Sequence, residues 1–263
     1  MQSFQFSNAK NVAEAKAAAA SGAKILAGGQ SLLPSMRLGL AAPDALASLG
    51  AIADLKGITV AGGVVKIGAM TTHATVAASA EVRAAIPALA DLANHIGDRQ
   101  VRNRGTIGGS LANNDPAACY PAAVLGLGAT VHTDRRDIAA DDFFVGLYTT
   151  ALAEDEIITA VSFPIPEKAG WQKFKQPASR FSIVGVFTSK GLSSAGGGVR
   201  VAVTGAGSGV FRATELEAKL SGNYSAAALA GATVSADGMN SDLHGSAEYR
   251  AALVPVLAAR AVG

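Results

Sequence analysis

The chain has 263 residues, 49% of them hydrophobic and 16% charged, with 30 glycines and a formal net charge of +2. That length holds one large domain or two moderate ones around a real core joined by tight turns, and a near-neutral balance without a Lys/Arg run argues against a nucleic-acid partner. No stretch is apolar enough for long enough to span a bilayer, and Met1-Gln2-Ser3-Phe4-Gln5-Phe6 lacks the basic flank and apolar run of a secretion signal, so the expected setting is cytoplasmic.

In chain order, residues 11–22 read as an alanine-rich helix ending near Gly22, followed by a short apolar strand, Lys24-Ile25-Leu26-Ala27. A brief helix entered through Pro34 spans Leu32 to Leu40 and completes a small β-α-β layer. Segment 57–70 alternates turns with short strands and predicts an antiparallel pair. Helices are expected at 72–79 and 81–95, then a stretch from Val101 that carries Arg102 and Arg104 into a glycine-rich turn. Pro116 and Pro121 precede an apolar run, Ala122–Val131, and a strand is expected at Glu156–Phe163.

Pro164 and Pro166 break this pattern. Two long strand candidates follow, 171–189 and 198–206, separated by a flexible turn, Ser193-Ser194-Ala195-Gly196-Gly197-Gly198. Helical segments are expected at 212–220, 225–232 and 246–260. A strand pair followed by helices predicts a separate α+β domain, which divides the chain into residues 1–166, with subdomains of about 1–55 and 56–166, and residues 167–263.

Two diglycine segments stand out: Ala27-Gly28-Gly29-Gln30-Ser31-Leu32 and Thr106-Ile107-Gly108-Gly109-Ser110. Glycine permits positive φ and close approach of a ligand to the main chain, and successive N–H groups in such a turn form a cradle for phosphate oxygens. Taken singly, Gly28-Gly29 reads as an ordinary tight turn. Two such segments, each followed by a hydroxyl residue, predict a ligand with two phosphates gripped from both sides, such as a dinucleotide. Neither has the G-x-G-x-x-G spacing of a Rossmann site, and no Gly-Lys-Ser/Thr marks a P-loop.

The second segment runs on into Leu111-Ala112-Asn113-Asn114-Asp115-Pro116, where Asn113 and Asp115 either bind ligand hydroxyls or close an Asx-turn. The single Cys119 excludes an internal disulfide or a four-cysteine cluster, and the four histidines, His73, His95, His132 and His244, lack metal-ligand spacing. Redox chemistry in this chain would therefore need an organic cofactor. Cys119 reads as a small buried residue, His73 as a capping or packing group, Trp171 and Phe143-Phe144 as core, and Arg135-Arg136 as a solvated turn.

The strings Ala27-Gly28-Gly29-Gln30-Ser31-Leu32-Leu33-Pro34 and Gln100-Val101-Arg102-Asn103-Arg104-Gly105-Thr106-Ile107-Gly108-Gly109-Ser110-Leu111-Ala112-Asn113 resemble the two flavin loops of the molybdenum hydroxylase flavoproteins. These are the FAD-binding medium subunits of the carbon monoxide dehydrogenase and xanthine dehydrogenase type. The similarity extends through Asp142-Phe143-Phe144, Phe174-Lys175-Gln176 and Ser246-Ala247-Glu248-Tyr249-Arg250 and covers nearly the whole chain. It implies an α+β fold: a two-subdomain FAD-binding unit shared with vanillyl-alcohol oxidase, followed by a C-terminal α+β domain with an antiparallel sheet and helices.

By this resemblance the first loop, Lys24, Ile25, Ala27, Gly28, Gly29, Gln30, Ser31 and Leu32, lies along the adenine and pyrophosphate end of FAD. The second supplies Thr106, Gly108, Gly109, Ser110 and Asn113, with Asp115 beyond it, and Lys175 approaches the flavin. The resemblance also implies an electron-transfer role without a catalytic residue or metal of its own. A small subunit with [2Fe–2S] clusters and a large subunit with a molybdenum–pterin cofactor would be the partners, in a dimer of heterotrimers that delivers electrons to an external acceptor. A self-sufficient flavin reductase or oxidase of the same fold and a flavin-free assembly module are the alternatives. Two departures stand against the family pattern: Cys119 replaces an acid in Pro116-Ala117-Ala118-Cys119-Tyr120-Pro121, and Arg180-Phe181-Ser182 replaces Asp-Phe-Ala.

Overall fold

A computed structural model describes residues 3–192 and 198–263; most of the turn expected at 193–198 lies outside the described residues, as do Met1 and Gln2. The first layer runs β1 (Gln5–Asn8), α1 (Val12–Ala20), β2 (Lys24–Leu26), α2 (Leu32–Arg37) and β3 (Ala45–Ser48), with the strands in a parallel sheet of order β1-β3-β2. α1 starts where Asn11 accepts a hydrogen bond from the Glu14 N–H at 2.9 Å and the Glu14 carboxylate accepts from the Lys10 N–H at 2.8 Å. These reciprocal bonds satisfy otherwise orphaned donors. The sequence did not predict β1 or β3: four residues each, one fully exposed and one alanine-rich, they become strands through pairing with each other.

The second layer opens with a 3-10 turn at Ala53–Leu55 and the hairpin β4 (Ile58–Ala61) and β5 (Val64–Gly68). Helices α3 (His73–Ala78), α4 (Ala80–Ala85), α5 (Pro87–Asn94), α6 (Arg99–Arg104), α7 (Ile107–Asn113) and α8 (Tyr120–Gly126) follow. Then come β6 (Thr130–Thr133), β7 (Asp137–Ala139), α9 (Ala140–Phe143), the small hairpin β8 (Phe144–Gly146) and β9 (Thr149–Thr150), and β10 (Ile158–Pro164). β10 enters between β5 and β6 to give an antiparallel sheet of order β4-β5-β10-β6-β7. The single helix expected over 81–95 is two, because Pro87 cannot continue a helix and instead begins the next one.

The third layer is an antiparallel sheet of order β11-β12-β13-β14, from Lys168–Lys175, Ser182–Lys190, Val199–Thr204 and Phe211–Arg212, covered by α10 (Thr214–Gly222), a 3-10 turn at Ala226–Leu229 and α11 (Ala247–Val262). The expected strand 171–189 is therefore a hairpin, turned through residues 176–181 with Arg180 at a φ of 62°. Only one short turn forms where a helix over 225–232 was expected, and the helix expected at 212–220 starts at Thr214.

One core packs the helices of the second layer on its sheet and reaches Trp171, Phe187 and Ala202 of the third. A second lies between the third sheet and α10 and α11, and a third beneath the first layer. Gly126 of α8 abuts Phe187 and Ala202, Ser189 Oγ donates to the Gly126 carbonyl at 2.6 Å, and Arg200 grips Asp141 through bonds of 3.0 and 2.8 Å. Lys16 pairs with Asp134 at 2.6 Å and ties the first layer to the second. Arg135 and Arg136 are not a merely solvated turn: they pair with Asp155 and Glu156.

Candidate functional site

β2 of the parallel sheet delivers the chain into Ala27-Gly28-Gly29, and α2 starts at Leu32. Gly29 has a φ of 74°, which a side chain would strain, and it is the one glycine of the four in the two diglycine segments at positive φ. Among the described residues, no main-chain N–H from Gly28 to Ser31 donates to a protein acceptor. The Ser31 hydroxyl makes no capping bond to α2. A short arc of free donors with an uncommitted hydroxyl suits an anion. Gln30 and Ser31 are exposed, Ala27 to Gly29 half-buried, and Lys24 is exposed on β2 just before them.

The second segment is not a turn but the start of α7. Thr106 caps it, accepting from the Gly109 N–H at 3.2 Å. The Ile107 and Gly108 N–H groups donate to Thr71 and Ala69 carbonyls at 3.2 and 2.8 Å, and the Ser110 N–H to the Thr106 carbonyl at 3.0 Å. The expected second main-chain cradle is thus already filled by protein acceptors. Glycine serves a different purpose here, close packing. A Cβ on Gly108 would lie 2.6 Å from Ala69 Cβ, and one on Gly109 would lie 3.0 Å from Ala27 Cβ. What α7 offers outward is Ser110 and Asn113, half-buried and three residues apart, while Thr106 is itself buried.

The two segments pack against each other. A Cβ on Gly28 would sit 2.1 Å from the Arg104 carbonyl oxygen at the end of α6, so the first loop rests directly on the backbone that leads into α7. Below that contact, the His73 N–H donates to the Gly105 carbonyl at 3.0 Å, and the His73 ring leaves no room for a Cβ on Gly105. His73 is buried, with Nδ1 lacking a hydrogen-bond partner, and its ring centroid is 5.3 Å from that of Tyr120. Burial first, and the Arg102 charge second, push the imidazole down from 6.5 to about 4, so it is neutral at pH 7.

Beyond α7 the chain turns at Asn114, a non-glycine residue at a φ of 43°, whose Nδ2 donates to the Gly146 and Thr149 carbonyls at 2.9 and 2.8 Å. Asp115 accepts from the Ala117 N–H at 2.8 Å, the Asx-turn reading, while its other oxygen accepts from the Tyr148 hydroxyl at 3.4 Å. Segment 116–118 is zipped onto the third sheet: Thr204 Oγ1 donates to the Pro116 and Ala118 carbonyls at 3.0 and 2.7 Å. Cys119 is buried, with Lys173 Nζ 3.2 Å and Ser182 Oγ 3.6 Å from its sulfur. Lys175 lies two residues further along β11, past a bulge, and is exposed.

Three cations converge on one short stretch. Lys173, Arg102 and Arg180 donate to the carbonyls of His95, Ile96 and Gly97, at 3.0 Å for Lys173 to His95 and 3.0, 3.2 and 3.3 Å for the arginine bonds. The sequence reading did not single out Lys173; its alternation with Lys175 and the buried Trp171 along one strand was the available signal.

Comparison with known proteins identifies the family and the fold. The family described as the FAD binding domain in molybdopterin dehydrogenase matches residues 2–166. The nicotine 6-hydroxylase medium subunit of Paenarthrobacter nicotinovorans is 40% identical over 251 residues, 91% of this chain and 88% of that one. The carbon monoxide dehydrogenase medium chain of Hydrogenophaga pseudoflava is 34% identical over 98% of this chain and 96% of its own. Among solved structures, carbon monoxide dehydrogenase from Hydrogenophaga pseudoflava superimposes with a TM-score of 0.89 at 34% identity, covering 99% of this chain and 96% of that one. Quinoline 2-oxidoreductase from Pseudomonas putida 86 does so with 0.87 at 28% identity, with the same coverage. The chain belongs to the FAD-binding medium subunits of the molybdenum hydroxylases.

Proposed function

We propose that this chain holds FAD between the 27–32 loop and the outward face of α7, and passes electrons from the [2Fe–2S] clusters of a small subunit to an external acceptor. The observation that carries this reading is the contact of Gly28 with the Arg104 carbonyl, which packs the segment with open N–H groups against the residues that lead into α7. The main-chain donors of Gly28, Gly29, Gln30 and Ser31, with Leu32 at the start of α2, would offset pyrophosphate charge. Lys24, Ile25 and Ala27 would border the adenosine end, and Gly108 and Gly109 would keep α7 close enough for Ser110 and Asn113 to reach the ligand. Asp115 and Lys175 are assigned to the opposite end, towards the flavin ring.

Bound FAD supplies a carrier that takes electrons singly and releases them singly or in pairs. The protein holds and orients it. His73, neutral and wedged under Gly105, keeps the α6–α7 junction fixed without adding charge. Substrate oxidation belongs to a large subunit with a molybdenum–pterin cofactor, and the complex is a dimer of heterotrimers in the cytoplasm. No helix among the described residues is long and apolar enough to cross a membrane.

The test is purification of the chain alone and with co-expressed partners. Flavin absorption in the isolated chain, no substrate turnover by it alone, and co-purification of iron–sulfur and molybdenum subunits are expected. Turnover by the isolated chain would replace this reading with a self-sufficient flavoenzyme. A chain that never carries flavin would leave an assembly module.

A further inference from the structure

Cys119 is the single cysteine of the chain, so no second thiol within it resolves an oxidised sulfur. An amine stands where such a thiol would be. Lys173 Nζ, 54 residues away in sequence, donates to Cys119 Sγ at 3.2 Å and to the His95 carbonyl at 3.0 Å. No carboxylate pairs with Lys173 among the described residues. Ser182 Oγ lies 3.6 Å from the same sulfur, and a hydroxyl is a poorer nucleophile than an amine. Arg102 and Arg180 gather on the same 95–97 carbonyls, but a guanidinium does not attack sulfur.

Both partners are held in place. Cys119 enters α8 from segment 116–118, which the Thr204 hydroxyl fixes to the third sheet, as does the Gly205 N–H donating to the Pro116 carbonyl at 2.8 Å. Lys173 sits within β11, opposite Gly185 of β12. Reacting groups fixed side by side behave as though very concentrated. The sulfur is 4% exposed, which closes it to a thiol of another protein, whereas hydrogen peroxide is little larger than water.

We propose that Cys119 and Lys173 form a sulfenamide under peroxide, a covalent N–S bond that fastens α8 to β11. The sulfur attacks one oxygen of hydrogen peroxide, the O–O bond breaks, and the departing hydroxide leaves as water with the thiol proton. Sulfur loses two electrons, peroxide gains them, and a sulfenic acid remains, a species that condenses with a neighbouring nitrogen. The Lys173 nitrogen, having released its extra proton to solvent, attacks Sγ. The S–O bond breaks, and hydroxide departs as a second water with a proton from that nitrogen. One peroxide is consumed, and two waters and one proton are released. The step needs this pair alone, so it stands or falls separately from the flavin site.

Hydrogen peroxide added to the purified full chain, followed by iodoacetamide and by intact and peptide mass analysis, tests it. The expected product is lighter by two hydrogens, no longer alkylates at sulfur, and yields a linked peptide pair containing Cys119 and Lys173. Dithiothreitol should restore the mass and the free thiol. The linked chain should also melt higher than the reduced one, because closing residues 119–173 restricts the unfolded state. Lys173→Met and Lys173→Arg should both lose the linkage and gain oxygen on Cys119 instead. Arginine keeps the charge, so agreement of the two variants assigns the bond to the amine. The wild-type peptide map decides the matter even where a variant misfolds. A wild-type sulfur that stays free in excess peroxide, or that gains oxygen without forming the linked pair, overturns the proposal. So does a two-hydrogen loss that persists in both lysine variants, because the nitrogen would then belong to the main chain.

Discussion

Lys173 Nζ lies 3.2 Å from the sulfur of Cys119, in the seam between the helical layer and the C-terminal sheet. Its other acceptor is the His95 carbonyl at 3.0 Å, so a half-buried ammonium is held by a carbonyl and a thiol, without a carboxylate. A thiol is a weak acceptor. Cys119→Asp would set an acid where the family pattern has one, within reach of Lys173. A buried pair gains only when its geometry is good, since desolvation offsets much of the attraction. The expected outcome is FAD affinity equal to or tighter than wild type, and thermal stability within about 1 kcal/mol of it. Flavin fluorescence titration and calorimetry measure both, and a tenfold loss of FAD affinity would contradict the reading of Cys119 as standing where an acid is accommodated.

Gly109 and Gly28 test the contact between the two segments from opposite sides. In Gly109→Val the new Cβ meets Thr106 Oγ1 at 2.9 Å and Ala27 Cβ at 3.0 Å, and the further methyls wedge the 27–32 loop away from α7. Overpacking of this kind costs about 1–3 kcal/mol. Flavin content, read as the ratio of visible to protein absorbance, should fall to near zero in the purified variant. Gly28→Ala is the stricter case, because its Cβ meets a backbone carbonyl that no rotamer change can move. Normal flavin content in both variants would rule out this pair of segments as the FAD grip.

The first loop was legible in the sequence because its cause is local: a strand, two glycines and a short helix in sequence. The second was misread in form. Asn103-Arg104-Gly105-Thr106 looks like a lead-in to a turn, yet Thr106 is a helix cap and the diglycine lies inside the first turn of α7. Only the tertiary neighbours, Ala69 beneath Gly108 and Ala27 against Gly109, explain glycine at positions where alanine favours a helix. β1 and β3 were hidden for a similar reason: pairing makes them strands, not propensity. Lys173 escaped notice because its partners, His95 and Cys119, lie 78 and 54 residues away.

His73 predicts a pH dependence. Its folded pKa, about 4, is below the ordinary 6.5, so between these values the unfolded chain binds the extra proton. Stability from this group is complete above about pH 6.5 and is lost as pH falls towards 4, by up to about 3 kcal/mol. Denaturation midpoints measured from pH 7.5 to 4.5 should therefore fall, with a shallower slope in His73→Gln. A slope unchanged in that variant would show that His73 does not stay neutral in the fold.

Asn114 joins the end of α7 to the β8–β9 hairpin, and its requirements are both conformational and chemical. Its φ of 43° is tolerated by asparagine better than by alanine, and its buried Nδ2 is the donor for two carbonyls that would otherwise lack it. Asn114→Ala should cost about 2–4 kcal/mol from the lost bonds and the left-handed backbone together. Asn114→Gly removes the conformational part alone and should recover about 1 kcal/mol of that loss. Asn114→Asp is the sharpest probe, because it places an acceptor against two acceptors in a buried site. It should be more damaging than alanine at pH 7, and chemical denaturation of the three variants side by side gives the ranking glycine, alanine, aspartate. Aspartate matching wild type would mean that the hairpin is not held to α7 through this side chain, and the path that positions Asp115 and Tyr148 would have to be sought elsewhere.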